Sequence, residues 1–213
     1  AGERRPAALA RGPRTVPPRG RALTPSDYET LAVEASPAVK MVRAIAGRSP
    51  GGRTLPGWVT VLIVPGSLDA RPQPSFGLRE QVRRHIEPRA PADLAALHRI
   101  HVTGPTYLPV GVSARIVPLD PSQAGAVERA VRETLERFLH PVVGGPGGTG
   151  WALGRDVYVS DVAAELERTP GVDHIEALDL VLDGVPQGES VRVPDDAVVA
   201  AGTLVLRLDE SEA

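Results

Sequence analysis

The sequence predicts an α+β fold, with small mixed sheets and packed helices arranged as two α/β sandwich-like units joined by a glycine-rich hinge. Three observations carry this reading. Capped amphipathic helices are interspersed with short alternating or continuous apolar runs, so neither secondary structure dominates. Only 3% of residues are aromatic, which leaves the core to Val, Leu, Ile and Ala. Finally, 22 Gly and 22 Pro punctuate the 213 residues into short elements.

Thr24 opens the first element as an N-cap, with Pro25 at the first helical position and Asp27 completing a capping box. Tyr28, Leu31, Ala32 and Ala35 then share one face of a helix that Pro37 ends. Residues 38–47 alternate as a strand, 48–57 form a turn-rich loop, and "WVTVLIV" (58–64) is apolar enough for a strand covered on both faces. Ser75 caps a second helix in which Leu78, Val82 and Ile86 recur at helical spacing, and which stops before Pro88.

The stretch 99–120 alternates as one long half-buried strand. Residues 121–139 form an amphipathic helix whose stripe is Val127, Val131, Leu135, Phe138 and Leu139. After the glycine cluster come a short helix from a cap at Ser160 to Arg168, a strand over 172–184, and short strands at "SVRVP" and "TLVLRL". The expected organisation is therefore a basic Pro/Arg-rich linker or arm (1–21), an α+β unit (22–140), a hinge (141–155) and a small acidic α+β unit (156–213).

Charge is distributed unevenly along this plan. The formal net charge is −2, yet residues 1–21 carry +5, residues 22–150 carry +3 and residues 151–213 carry −10. A basic end and an acidic end suit head-to-tail assembly. The arm lacks the interleaved aromatics of a nucleic-acid binder, and no apolar run is long enough for a membrane span. Absence of cysteine excludes disulfides and thiolate metal sites. The chain begins at Ala1 and its single methionine is Met41, which fits either removal of an initiator or a piece of a longer polypeptide.

No catalytic constellation emerges, and no cofactor or metal site is expected. Gly145, Gly147 and Gly150 match G-x-G-x-x-G, but a helix precedes them, no Lys lies in the loop and no partner acid follows at the required distance. A small-ligand or nucleotide-binding regulatory domain using the 144–150 loop is thus the alternative reading. His98 and His101, three apart in extended chain, point to opposite faces. His85 with Glu87 is half a deaminase pattern without its cysteines, and Ser67, Ser113 and Ser160 lack a nucleophile elbow. Asp195 and Asp196 read as solvated carboxylates in a polar turn.

Three segments, "RGRALTPSDYETLAVEASPAV" (from Arg19), "PTYLPVGVSARIV" (from Pro105) and "FLHPVVGGPGGTGWALGRDVYVSDVAAELERTPGVDHIEAL" (from Phe138), resemble the baseplate J-like family over about Arg19 to Val205. These are baseplate wedge proteins of contractile phage tails and injection systems. The resemblance implies a structural protein of a phage-tail-like particle, not an enzyme. It implies assembly in a bacterial cytoplasm, within a sixfold hetero-oligomer around the tube and spike hub. The implied partners are other wedge subunits, a second J-like subunit, and sheath and hub or spike proteins. Family members are longer, with an N-terminal part absent here, so the resemblance is to their C-terminal portion or to a truncated version.

The matching motif is Gly144, Gly145, Gly150, Trp151, Gly154 and Arg155, with a structural meaning; Ala152 and Leu153 replace bulkier family residues. Trp151 is expected either as the lid of the terminal core, the preferred reading, or as an interface anchor. Arg155 is expected to bind carbonyls at the joint or an acidic partner face. Asp173, Glu176 and Asp179 are candidates for an interface with a basic neighbour.

Overall fold

The computed structural model describes residues 21–208. Its first element is fixed locally: the Thr24 hydroxyl accepts from the Asp27 amide while the Asp27 carboxylate accepts from the Thr24 amide, closing the capping box of helix α1 (Pro25–Ala35). The Thr24 N–H holds the Asp27 carboxyl below its ordinary pKa, because the bond favours the charged form. Tyr28, Leu31 and Ala32 are the buried face of this helix.

Strands β1 (Val39–Arg48), β2 (Thr54–Pro65) and β3 (Ile100–Thr103) form the first sheet in the order β1-β2-β3. β1 and β2 pair antiparallel with Ala44 opposite Val61; β2 and β3 pair parallel with Val61 opposite Val102. A parallel pair needs a crossover. Helices α2 (Phe76–Ile86) and α3 (Ala92–Ala96), joined by a one-turn 3-10 helix at Glu87–Arg89, supply it. Ser75 caps α2 through its hydroxyl, and Val82 and Ile86 are its buried residues. β2 starts at Thr54, so part of the expected 48–57 loop is strand.

The continuous apolar run of β2 has the expected cause. Val59, Val61 and Ile63 face a first core shared with α1 and α2, while Leu62 and Val64 face a second core on the other side of the sheet. β1 is divided likewise, with Ala44 in the first core and Met41 and Ile45 packed against the second.

The second sheet has the order β7-β6-β4-β9, from β4 (Thr106–Pro118), β6 (Val172–Leu182), β7 (Val185–Pro186) and β9 (Ala197–Leu208). β4 pairs antiparallel with β6 and parallel with β9. Helix α4 (Ala124–Phe138) buries Val127, Val131, Leu135 and Phe138 against this sheet, the stripe its periodicity predicts. Helix α5 (Val159–Leu166) adds Val162 and Leu166, and a two-residue ladder joins β5 (Val157–Tyr158) to β8 (Ser190–Val191). Helices and small mixed sheets make the fold α+β.

Four local expectations need correction. The single strand over 99–120 is two strands in different sheets, because Gly104–Pro105 interrupts it: proline has no N–H for the ladder, and a Cβ at Gly104 would stand 2.0 Å from Gln73 Oε1. Tyr158, not Ser160, is the N-cap of α5, and its side chain makes no capping bond. β9 begins at Ala197, upstream of "TLVLRL". Of "SVRVP", only Ser190–Val191 is strand.

The boundary at 141–155 does not fall between the two cores. β4 and α4 precede the glycine cluster, yet they share a sheet and a core with β6, β9 and α5, which follow it. The hydrophobic division instead falls near Gly104–Pro105, between the last strand of the first sheet and β4. Residues 1–20 of the expected arm lie outside the described residues.

Candidate functional site

The glycine segment begins where α4 ends. A helix terminus leaves carbonyls without intrahelical partners, and here the chain turns back to satisfy them. The Gly145 N–H donates to the Phe138 carbonyl at 2.7 Å and the Gly144 N–H to that of His140 at 2.9 Å. Gly148 donates to Gly145 and Gly150 to Gly144, each at 2.9 Å, and the Trp151 N–H donates to Pro141 at 2.8 Å. Gly145, Gly148, Gly150 and Gly154 all have positive φ, which a Cβ disfavours. Gly144 is required for space: a Cβ there would lie 2.1 Å from the Phe138 carbonyl oxygen.

Trp151 closes this turn and is fully buried in the second core. Its Nε1–H donates to the Phe138 carbonyl at 2.8 Å, and its ring meets Phe138 edge-on at 5.5 Å. Above it the Arg155 guanidinium lies 5.7 Å from the ring centroid, with Asp161 4.0 Å away. Tryptophan, helix end and glycines are therefore one packed clasp.

These bonds bear on phosphate binding. A phosphate cradle needs free backbone N–H groups, and the amides of Gly144, Gly145, Gly148, Gly150 and Trp151 already donate to backbone carbonyls. Gly147, the middle glycine of the literal pattern, has neither positive φ nor a close neighbour.

The clasp also touches the first sheet. Arg43 of β1 donates to the Leu153 carbonyl at 2.7 Å and pairs with Asp195 at 3.0 Å; Arg48 pairs with Asp196 at 2.6 Å. Gly47, at positive φ beside the register shift between Ala46 and Arg48, lies between the two arginines, which are five positions apart and reach adjacent aspartates. Asp195 is solvated as well as paired, whereas three-quarters of the Asp196 side chain is covered. Sequence reasoning missed this double pair because its members are 148 and 152 positions apart, and no local pattern links them.

Asp173, Glu176 and Asp179 are all exposed on β6. Asp173 touches His174 at 2.9 Å and Glu176 pairs with Arg115 at 3.3 Å. Asp179 lines an open groove on the second sheet. The histidines are scattered: His85 faces Glu34 at 3.9 Å, His98 faces Glu87 at 3.9 Å, and His140 accepts from the Val142 amide. Burial, and then Arg79, lower the pKa of His101. Among the described residues no group of three His, Asp or Glu side chains is placed to hold a metal, and no helix is long and apolar enough to cross a membrane.

No family model matches the chain, and no curated protein does. Among solved structures, it is similar to a chain in the cryo-EM structure of the anti-feeding prophage (AFP) baseplate, sixfold symmetrised, at 20% identity and a TM-score of 0.63. The likeness covers 96% of this chain and 42% of that one, so the chain spans less than half the length of its structural neighbour. At that identity the likeness shows the fold.

Proposed function

We propose that the chain is a structural component of the baseplate of a contractile injection system or phage tail, a wedge-type subunit of the baseplate J-like kind. It acts through protein-protein contacts in a ring around the tube and hub. The observation supporting this reading is the shared fold over 96% of the chain with a chain of a sixfold baseplate. The chemistry of the clasp points the same way, since the amides of Gly144, Gly145, Gly148, Gly150 and Trp151 are engaged by backbone carbonyls rather than offered to a ligand. Its glycines hold the helix end, the tryptophan and the second sheet in one arrangement. Other baseplate subunits are the proposed partners, in a phage-tail-like particle assembled in a bacterial cytoplasm.

Within that reading, Asp173, Glu176 and Asp179 form an acidic face for a basic neighbour. Cryo-electron microscopy of purified particles tests the proposal. The expected result is density for the fold of residues 21–208 in a ring at the base of the tube and sheath; absence of the chain from the particles overturns it. Reversal of Asp173, Glu176 and Asp179 to Lys is expected to lower incorporation at least several-fold. ATP or NAD is expected to leave the melting temperature unchanged, and a shift abolished by Gly147→Val would favour a nucleotide-binding domain instead.

A further inference from the structure

One face of the second sheet is covered by α4 and α5, while the other carries a groove open to solvent. The groove arises from backbone geometry. β4 has a register shift between Val110 and Val112 against β9, and Gly111 sits at it. A Cβ at Gly111 would stand 2.8 Å from the Thr203 carbonyl oxygen, and one at Gly202 would stand 2.8 Å from the Gly111 nitrogen. The two strands thus approach backbone to backbone without side chains between them, which sinks a trough into the face. Val181 and Val205 give it apolar contact surface, and Asp179 and Asp183 give it charge.

Neither Asp179 nor Asp183 has an ion pair or side-chain hydrogen bond among the described residues. Arg71 also lines the groove, and Arg115 on the same strand as Gly111 is bonded to Glu176. The free acids therefore leave room for an incoming cation.

We infer that this groove takes the Arg- and Pro-rich arm, residues 1–21, of a neighbouring copy of the chain. The inference rests on the proposal that the acidic face meets a basic neighbour, and it names the occupant. The arm has the matching chemistry: net charge +5, with Arg14 and Arg19 flanking Val16, Pro17 and Pro18. Prolines cannot donate to a sheet edge, so such a segment lies in a groove as an extended helix and presents its arginines to acids.

The arm leaves the described fold on the side of the first sheet away from the groove. Ala22, where the arm begins, is buried in the first core and donates to the Arg89 carbonyl, on the helical side of the first sheet. From there the arm would have to pass around both layers to reach its own groove. An extended segment of this length spans up to about 70 Å, enough to reach the groove of an adjacent copy, and the cross-linking below separates that from closure on its own groove.

The absence of cysteine provides the test. Full-length chains carrying Val16→Cys are mixed with chains carrying Thr203→Cys, an exposed position on the groove, and treated with a short bis-maleimide. A cross-linked heterodimer is expected, reduced at least fivefold when the Thr203→Cys chain also carries Asp179→Lys and Asp183→Lys, and reduced likewise at high salt. Circular dichroism confirms that each variant is folded.

Three results overturn the inference. They are no heterodimer, a yield unchanged by the charge reversals, and a chain carrying both Val16→Cys and Thr203→Cys that closes only on itself as monomer. Because the cross-link is read on the isolated chain, its failure is separate from the failure of the baseplate reading, which the particle microscopy decides.

Discussion

A methyl group at Gly144 would overlap the Phe138 carbonyl oxygen at 2.1 Å, whereas one at Gly147 would meet only Thr149 Oγ1 at 3.6 Å. Gly144→Ala is therefore expected to lower the unfolding free energy by about 3 kcal/mol, and Gly147→Ala to change it by less than about 0.5 kcal/mol, in urea titrations. Trp151→Phe leaves the Phe138 carbonyl with the Gly145 amide alone and opens space at a fully buried position, and is expected to cost about 1 to 3 kcal/mol. The G-x-G-x-x-G string selects Gly147 and omits Gly144, the opposite of what packing requires. That error is built into string matching, since the atoms that constrain Gly144 belong to the end of the preceding helix.

At the scale of elements, periodicity located the longer helices, because each buried stripe is a property of its own residues; Val127, Val131 and Leu135 of α4 need no other segment to be recognised, whereas α3 buries no residue and has no stripe to read. Strand boundaries were less legible. The alternation from 99 to 120 continues through a break, because β3 and β4 are both half-buried strands that happen to be in phase, and only their partners differ. Adjacent aspartates likewise look alike in sequence, yet each holds a different arginine of β1. A double-mutant cycle of Arg48→Ala and Asp196→Ala is expected to give a coupling of about 1 kcal/mol that falls in concentrated salt, as suits a partly covered pair. Zero coupling would show that the bridge does not join the two layers.

At the scale of the molecule, the first sheet is sandwiched between the two cores, so neither core is complete without it. Trp58 lies in β2 of that sheet and Trp151 in the second core, which gives each part its own fluorescence probe. Unfolding followed in Trp58→Phe and Trp151→Phe variants is expected to be a single transition in each, coincident with loss of circular dichroism in the same variant. Two separated transitions within either variant would mean that the layers fold independently and that the Arg48 and Asp196 contact is incidental. The uneven charge, with an acidic terminal stretch and a basic arm, belongs to this scale too, because its effect is on association.

The sequence by itself determined the α+β class, the caps at Thr24 and Ser75, the apolar stripes and the charge gradient, since these depend on neighbours within a few positions. Tertiary structure alone decided that the glycine cluster is a packed clasp, that residues 106–138 belong with the terminal strands, and that Arg43 and Arg48 meet Asp195 and Asp196. The reason is physical. A periodic pattern states which face of an element is to be buried, but what buries it depends on strand pairing between distant segments, which no local pattern encodes.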